Sequence, residues 1–390
     1  MKIAYCIHSL HLFGGIERVL SIKANYLADV YGYDIHIITA DQKERPVHFH
    51  LSDRITLHDV GTSEKFMLHT YGRKLNRILC EIRPDICVSV GGRDIFCLPD
   101  CTDGSIKIAE FHFSHDKYDV KYGGSWLGNL YARFRMGQIE KVARKLDKFV
   151  VLTKADKADW SKILDNVISI YNPLTFRSEK TAALKNRRCI AVGRLESQKN
   201  FRDAVTAWKK VAERYPDWTL DIFGNGSLKK RLEKQIRDNG LEGKVRLMGS
   251  SSDIRSEMLA SSCLVMSSAY EGFPMVLLEA IETGLPMVSY DCPKGPAEII
   301  VNDENGYLVK PGDTDGLAEG ICKVIGDSDR RTRFGKKAKE KAGEFGIDII
   351  MKQWKALFET ILEEKPKSRT KSKKKAYFCK SYVLKTGTDR

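Results

Sequence analysis

Apolar residues along this chain recur with two spacings. Short apolar runs bounded by Gly, Asn, Asp or Ser read as strands covered on both faces. Between them lie longer stretches whose apolar positions repeat every three or four residues, the period of a helix with one buried face. Lys2-Ile3-Ala4-Tyr5-Cys6-Ile7-His8 is the first run, and Ile16, Val19, Leu20, Lys23 and Leu27 mark a helix to about Ala28. Asp34 to Thr39 reads as a strand, Arg73 to Ile82 as a helix stopped before Pro84, and Asp85 to Val90 as a strand. The strand that starts at Ile106 carries Glu110, His112 and His115 in or just beyond its C-terminal end. A long helix from Trp126 to about Leu146, a strand from Phe149 to Thr153 and a short helix from Lys154 to Leu164 follow. Ile168-Ser169-Ile170-Tyr171-Asn172-Pro173 closes this half on a turn signal. The stretch from about Gln42 to Met67 shows neither period.

The polar run Thr175 to Arg187 interrupts the pattern, which restarts with Arg188-Cys189-Ile190-Ala191-Val192-Gly193 and a helix from Phe201 to Glu213. A strand from Trp218 runs into Gly224-Asn225-Gly226, and a helix from Leu228 to Asn239 follows. Val245 to Gly249 reads as a strand, with Asp253 as the N-cap of the next helix. Cys263 to Met266 is a strand, and Pro274 suits the first turn of the helix after it. Pro286 to Asp291 is a strand, Asn305-Gly306 a turn, and Thr314 to Ile325 and Arg331 to Glu344 are helices. Ile349, Ile350, Met351, Trp354, Leu357, Phe358 and Ile361 mark a last amphipathic helix. Two successive alternations predict two parallel sheets, each covered by helices on both faces. The expected layout is a first domain over 1–174, a linker over 175–187, a second domain over 188–344, a final helix over 345–362 and a basic tail over 363–390.

Composition narrows the class. A chain of 390 residues, 42% hydrophobic and 30% charged, has enough apolar material for two globular cores. No apolar run reaches membrane-spanning length, and Met1-Lys2-Ile3 leads straight into a strand, so a cytoplasmic protein is expected. The ten cysteines are scattered, none in C-x-x-C spacing, and Cys6, Cys87, Cys189 and Cys263 sit inside apolar strands, so reduced thiols are expected. The formal charge of +14 asks for an acidic partner. No nucleic-acid-binding signature is present, so nucleic acid is not expected. The tail, basic from Lys365 to Arg390 and interleaved with Tyr377, Phe378 and Tyr382, reads as a disordered segment suited to an anionic membrane surface.

Candidate chemistry gathers where strands end. Gly14-Gly15 joins the first strand to a helix N-terminus, an anion-binding arrangement if it is more than a tight turn. Arg194 and Lys199 flank the loop that opens the helix at Phe201, where two cations suit a diphosphate unless they form a solvated basic loop. Glu271 lies on the strand-to-helix loop and Glu279 on the helix that follows, with seven residues between them. Two carboxylates there repel phosphate and suit hydrogen bonds from hydroxyls, as a sugar and a ribose offer; the alternative is a surface acid and a solvated helix face. Asp313-Thr314-Asp315 and Asp327-Ser328-Asp329 stand at helix entries and read as capping chemistry, not metal ligands.

The string Ser267-Ser268-Ala269-Tyr270-Glu271-Gly272-Phe273-Pro274-Met275-Val276-Leu277-Leu278-Glu279-Ala280, followed by Thr283-Gly284-Leu285-Pro286, resembles the C-terminal donor site of retaining GT-B glycosyltransferases of the GT4 type. Gly193-Arg194-Leu195 with Lys199-Asn200 resembles the diphosphate clamp of that family. Cys292-Pro293-Lys294-Gly295-Pro296-Ala297-Glu298-Ile299-Ile300 is similar to strings in the branch that assembles bacterial surface glycans. The resemblance runs to about Leu362 and is strongest in the second half.

The resemblance implies a GT-B fold: two Rossmann-like domains facing across a cleft, with the final helix crossing back to the first. It implies retaining transfer of a hexose or N-acetylhexosamine from a nucleotide-diphosphate sugar, a UDP-sugar by expectation. The acceptor would be a glycan or a polyprenyl-diphosphate-linked glycan, reached at the cytoplasmic face of the inner membrane. Glu271 and His112, chosen over His115, would hold the transferring sugar, and Arg194 and Lys199 would stabilise the leaving diphosphate without a metal ion or cofactor. Gly14, Gly15, Gly224, Gly226, Met248, Gly272, Phe273, Pro274 and Glu279 would complete the donor site. A sugar-nucleotide epimerase or hydrolase of the same fold, or a non-catalytic basic binding protein, are the alternatives.

Overall fold

The computed structural model describes residues 1–62 and 68–364, so the basic tail from residue 365 lies outside the described residues. The first half forms strands β1 (Lys2–Ile7), β2 (Asp34–Thr39), β3 (Ile55–Asp59), β4 (Ile86–Ser89), β5 (Ile106–Phe111), β6 (Lys148–Val151) and β7 (Val167–Ser169). They pair in parallel in the order β3-β2-β1-β4-β5-β6-β7. The order reverses at β1, whose neighbours are β2 and β4, and a crevice opens there at the strands' C-terminal ends. The pleat sends alternate residues to opposite faces. Ile3 and Tyr5 pack under the helix Gly15–Asp29, while Ala4 and Cys6 pack under the helix Leu68–Ile82.

The second half repeats the plan with β8 (Arg188–Val192), β9 (Thr219–Phe223), β10 (Val245–Gly249), β11 (Cys263–Met266), β12 (Met287–Tyr290) and β13 (Gly306–Val309), in the order β10-β9-β8-β11-β12-β13. Its pairings are also parallel. Cys189, Ala191, Leu220 and Ile222 face one core, and Ile190, Leu264 and Met287 face the other. These are two Rossmann-like domains.

The last helix, Ile347–Glu364, leaves the second domain and buries Ile350, Met351, Trp354, Leu357, Phe358 and Ile361 against Ile3, Tyr5 and Val88 of the first. Phe345, two residues before it, still packs with Phe273 and Leu285 of the second domain, so the chain crosses within a few residues.

The structure departs from the sequence reading at several elements. Strand β3 lies in the stretch that shows neither period. It is an edge strand with Thr56, Leu57 and Asp59 exposed, and an edge buries too little for an apolar run to appear. Strand β13, at the other sheet's edge, likewise follows the Asn305-Gly306 turn unannounced. The helix expected from Arg331 begins at Ser328, because Asp327 caps it by accepting from the N–H groups of Asp329 and Arg330. Pro274 stands at the N-cap position in extended conformation, one residue ahead of the helix Met275–Glu282. The segment 175–187 is irregular but not loose. Ala182 and Leu184 are buried, and Ala182 N–H donates to the Thr283 carbonyl at 2.8 Å. Asp313 caps the helix Thr314–Ile325 by accepting from Gly316 N–H at 2.8 Å, so both D-x-D strings serve as caps.

Candidate active site

Strands β8 and β11 are neighbours, so the loops that leave them meet. Ser267 Oγ donates to the carbonyls of Lys199 and Asn200 at 3.1 and 2.9 Å. Gln198 accepts from Ala269 N–H through its carbonyl at 2.8 Å and donates through Nε2 to the Tyr270 carbonyl at 3.1 Å. This stitching brings Lys199 Nζ to 2.6 Å from Glu271 Oε1. The Lys199 and Glu271 side chains are 18% and 8% exposed, a partly dry charge-assisted bond. Arg194 instead projects into solvent, with Gln198 Oε1 at 3.4 Å as its near acceptor among the described residues. Gln198 therefore holds both loops, a role its place in the sequence string does not signal.

Gly224 and Gly226 are needed for close backbone approach. A Cβ on Gly224, at φ +142°, would overlap the Gly193 carbonyl oxygen, and one on Gly226 would meet the Leu195 backbone. Gly224 N–H is already spent on the Gly249 carbonyl at 2.7 Å, so it is not a free donor for an anion. Met248, 46% exposed, stands on β10 beside this loop. Phe273 is buried and stacks on Tyr171, with centroids 5.3 Å apart, and lies against Phe345. Its ring holds the loop in place and is not presented to a ligand. Pro274 packs against Gly295, whose missing Cβ leaves room for the proline ring.

Glu279 is buried at the mouth of the cleft. Its Oε1 accepts from Arg18 Nη1 at 2.7 Å and from Thr175 Oγ1 at 3.1 Å. Burial pushes its carboxyl up, against the opposing pull of Arg18 and Thr175. Gly14 and Gly15 start the helix that carries Arg18, and Gly15 faces Met275 of the second domain. The space a Cβ on Gly14 would take is filled by the Glu17 carboxylate, so the first turn of this helix already holds an anion.

The opposite wall is the end of β5. His112 is buried, with Nε2 3.5 Å from Glu110 Oε1, and Glu110 Oε2 accepts from Lys23 Nζ at 2.6 Å. Lys23 and Glu110 are 1% and 2% exposed, and the Lys23 ammonium also lies 3.8 Å from the centre of the Trp354 ring. Burial holds His112 below its ordinary value, so the ring is neutral near pH 7. Gly272 lies on His112 itself, since a Cβ there would overlap the His112 carbonyl oxygen. His115 has a different setting: its ring edges onto Trp160, and Asp116 at 3.5 Å pulls it above its ordinary value.

Two residues outside the expected set tie the lobes together. Lys294 pairs with Asp159 and, at 3.5 Å, with Asp116. Glu298 accepts from Lys154 N–H at 2.8 Å, Ala155 N–H at 3.2 Å and the Tyr171 hydroxyl at 2.6 Å, and so caps the helix Lys154–Trp160 from the other domain. Their partners lie more than a hundred residues away, a distance local pattern does not bridge.

Two Rossmann-like domains with loops facing across a cleft, and a last helix that crosses back, define a GT-B glycosyltransferase. The chain belongs to the group 1 glycosyl transferases, whose family model matches residues 175–341. It is 34% identical over 365 residues to the amylovoran biosynthesis glycosyltransferase AmsD of Erwinia amylovora, covering 90% of this chain and 98% of that one. It is 27% identical over 362 residues to an uncharacterized glycosyltransferase of Haemophilus influenzae, covering 91% of this chain and 99% of that one. The fold is shared with S. aureus TarM, solved in complex with Fondaparinux, alpha-GlcNAc-glycerol and UDP, at a TM-score of 0.77 and 16% identity, covering 92% of this chain and 100% of that one.

Proposed function

We propose that this glycosyltransferase moves a hexose or N-acetylhexosamine from a UDP-sugar, with retention, to a glycan or polyprenyl-diphosphate-linked glycan during surface-polysaccharide assembly. The observation that carries the reading is the Lys199–Glu271 pair with Arg194 beside it, on the loops that face His112. The diphosphate would meet Arg194 and Lys199, which offset the charge that builds as the anomeric bond breaks. Glu271 would accept from sugar hydroxyls and Glu279, through its second oxygen, from the ribose. The acceptor hydroxyl would attack from the face the diphosphate leaves, its proton passing to the departing oxygen. No side chain is assigned as base or covalent nucleophile, and no metal ion is required. The UDP in the TarM complex and the amylovoran role of the Erwinia relative support the donor and the pathway class.

A place at the cytoplasmic face of the inner membrane is part of the proposal. No helix among the described residues is long and apolar enough to cross a membrane. The helix Trp126–Ala143 exposes Trp126, Leu127, Leu130 and Phe134 by 76%, 68%, 55% and 56%, with Lys121 and Arg133 nearby. Apolar anchors beside cations suit an anionic lipid surface.

The test is a thermal-shift series with UDP, GDP, ADP and CMP in EDTA, on the native chain and Glu279→Ala. At about 100 times Kd a ligand adds roughly 2.7 kcal/mol, a shift of several degrees. A UDP-selective shift that survives EDTA and falls to about half in the variant supports the reading. A larger shift with another nucleotide changes the donor, and no shift in folded protein rejects the donor site. Turnover of a UDP-sugar that needs no acceptor glycan would point to a hydrolase or epimerase instead.

A further inference from the structure

A second concavity of about 400 Å³ lies at the C-terminal ends of β1, β4 and β5, lined by His8, Gly92, Arg93, Phe113, Lys117 and Arg135 among others. Its volume falls within the range of small-molecule sites. One wall is aromatic: the Lys117 ammonium lies 3.2 Å from the centre of the Phe113 ring, and the Arg135 guanidinium lies 5.6 Å from that of Tyr118. The other feature is a concentration of positive charge. The charged groups that act on Lys117 are Lys121, Arg135 and Arg194, all cations. Asp116, its neighbour in sequence, is instead engaged by His115 and Lys294, at 3.5 Å each. Burial and these cations together push the Lys117 ammonium down to about 8. A half-buried cation held among other cations is costly unless an anion completes the site. Arg194 connects the concavity to the donor loop, because its charge reaches Lys117 across the cleft.

We propose that this concavity is the acceptor subsite and that it selects an acidic sugar unit, one bearing a phosphate or a carboxylate. The anion sits between Lys117 and Arg135, and the sugar ring lies against the Phe113–Tyr118 wall. The inference rests on the glycosyltransferase reading and deepens it by naming the acceptor's chemical class. Aromatic faces suit the apolar side of a sugar ring, and guanidinium with ammonium suits the anion.

The test is calorimetric titration of the full chain, saturated with UDP to block the donor site, with galactose 1-phosphate, glucuronate and neutral galactose. Tighter binding of one acid than the other assigns the anion as phosphate or carboxylate. At least one acidic sugar should bind about tenfold or more tighter than galactose, and Lys117→Met and Arg135→Gln should each remove that preference. UDP affinity, measured on the same samples, should stay unchanged in both variants. Equal affinity for charged and neutral sugars, no binding of any of them, or an undiminished preference in the variants would overturn the proposal while leaving the donor reading intact. Failure of the native chain to bind UDP would overturn the donor reading on which it rests. Melting curves establish folding, and Arg135→Gln carries the test if Lys117→Met does not fold.

Discussion

Arg18 Nη1 donates to Glu279 Oε1 at 2.7 Å, joining the first helix of one domain to the donor-side helix of the other. The two residues are 261 positions apart, and the Glu279 side chain is 8% exposed. Arg18 and Thr175 both bond the same carboxylate oxygen, Oε1. Glu279→Ala should weaken UDP binding by about tenfold, roughly 1.4 kcal/mol, in a calorimetric titration.

Arg18→Ala should lower stability by about 1–3 kcal/mol near neutral pH, since it removes a charge-assisted bond to a buried acid. The sign of its pH dependence follows from the raised carboxyl of Glu279. A carboxyl raised by folding binds more protons folded than unfolded, so its penalty grows as pH rises above the unfolded value. Losing Arg18 raises it further. The deficit relative to the native chain should therefore be larger at pH 8 than at pH 5 in urea melts, and a deficit that shrinks with pH would exclude this account.

Gly272 lies against the His112 carbonyl and is not held at positive φ, so a Cβ there fails by contact alone. Gly272→Ala should part the two walls. Steady-state kinetics should show kcat down by about tenfold or more, because small misplacements at a reacting centre cost that much. Titration should show UDP affinity nearly unchanged.

Arg194→Ala or Lys199→Ala should each lower kcat by about 100-fold or more, with a much smaller change in KM, as expected for groups that act on charge developing in the transition state. A rise in KM alone would mean that they only bind the ground state.

Lys117 carries its own pH signature. Its ammonium, pressed by burial and by Lys121, Arg135 and Arg194, loses its proton near pH 8 in the folded chain. The unfolded chain keeps that proton to about 10.4, so the native chain should gain stability as pH rises from 8 to 10. Lys117→Met should melt higher than the native chain at pH 7, with the gap closing toward pH 10. Affinity for an acidic sugar should fall across pH 7 to 9 in the native chain and stay flat in the variant.

Trp126 and Leu130 stand exposed on one helix. Replacing both with Ser should reduce sedimentation with phosphatidylglycerol vesicles at low salt and leave the melting temperature nearly unchanged, because neither side chain supports the core.

Much of this protein is present in the order of its residues. The apolar runs mark ten of the thirteen strands, a further run at Ile168 falls on the short edge strand Val167–Ser169, and the strings around Arg194, Lys199, Glu271 and Glu279 sit in or beside the loops where parallel strands end, which is where α/β sheets bind ligands. Those features are local: period, turn residues and caps act within a few positions. The edge strands Ile55–Asp59 and Gly306–Val309 escaped because an edge buries little. Only the tertiary structure decided which side chains meet. It turned Phe273 inward onto Tyr171, spent Gly224 on backbone contact, and joined Lys199 to Glu271 and Arg18 to Glu279. It also gathered Lys117 and Arg135 at one concavity, where the charge of Arg194 on the second domain acts on Lys117. Such pairings depend on strand order and on how two separately folded sheets face each other, and neither is written in the spacing of residues along the chain.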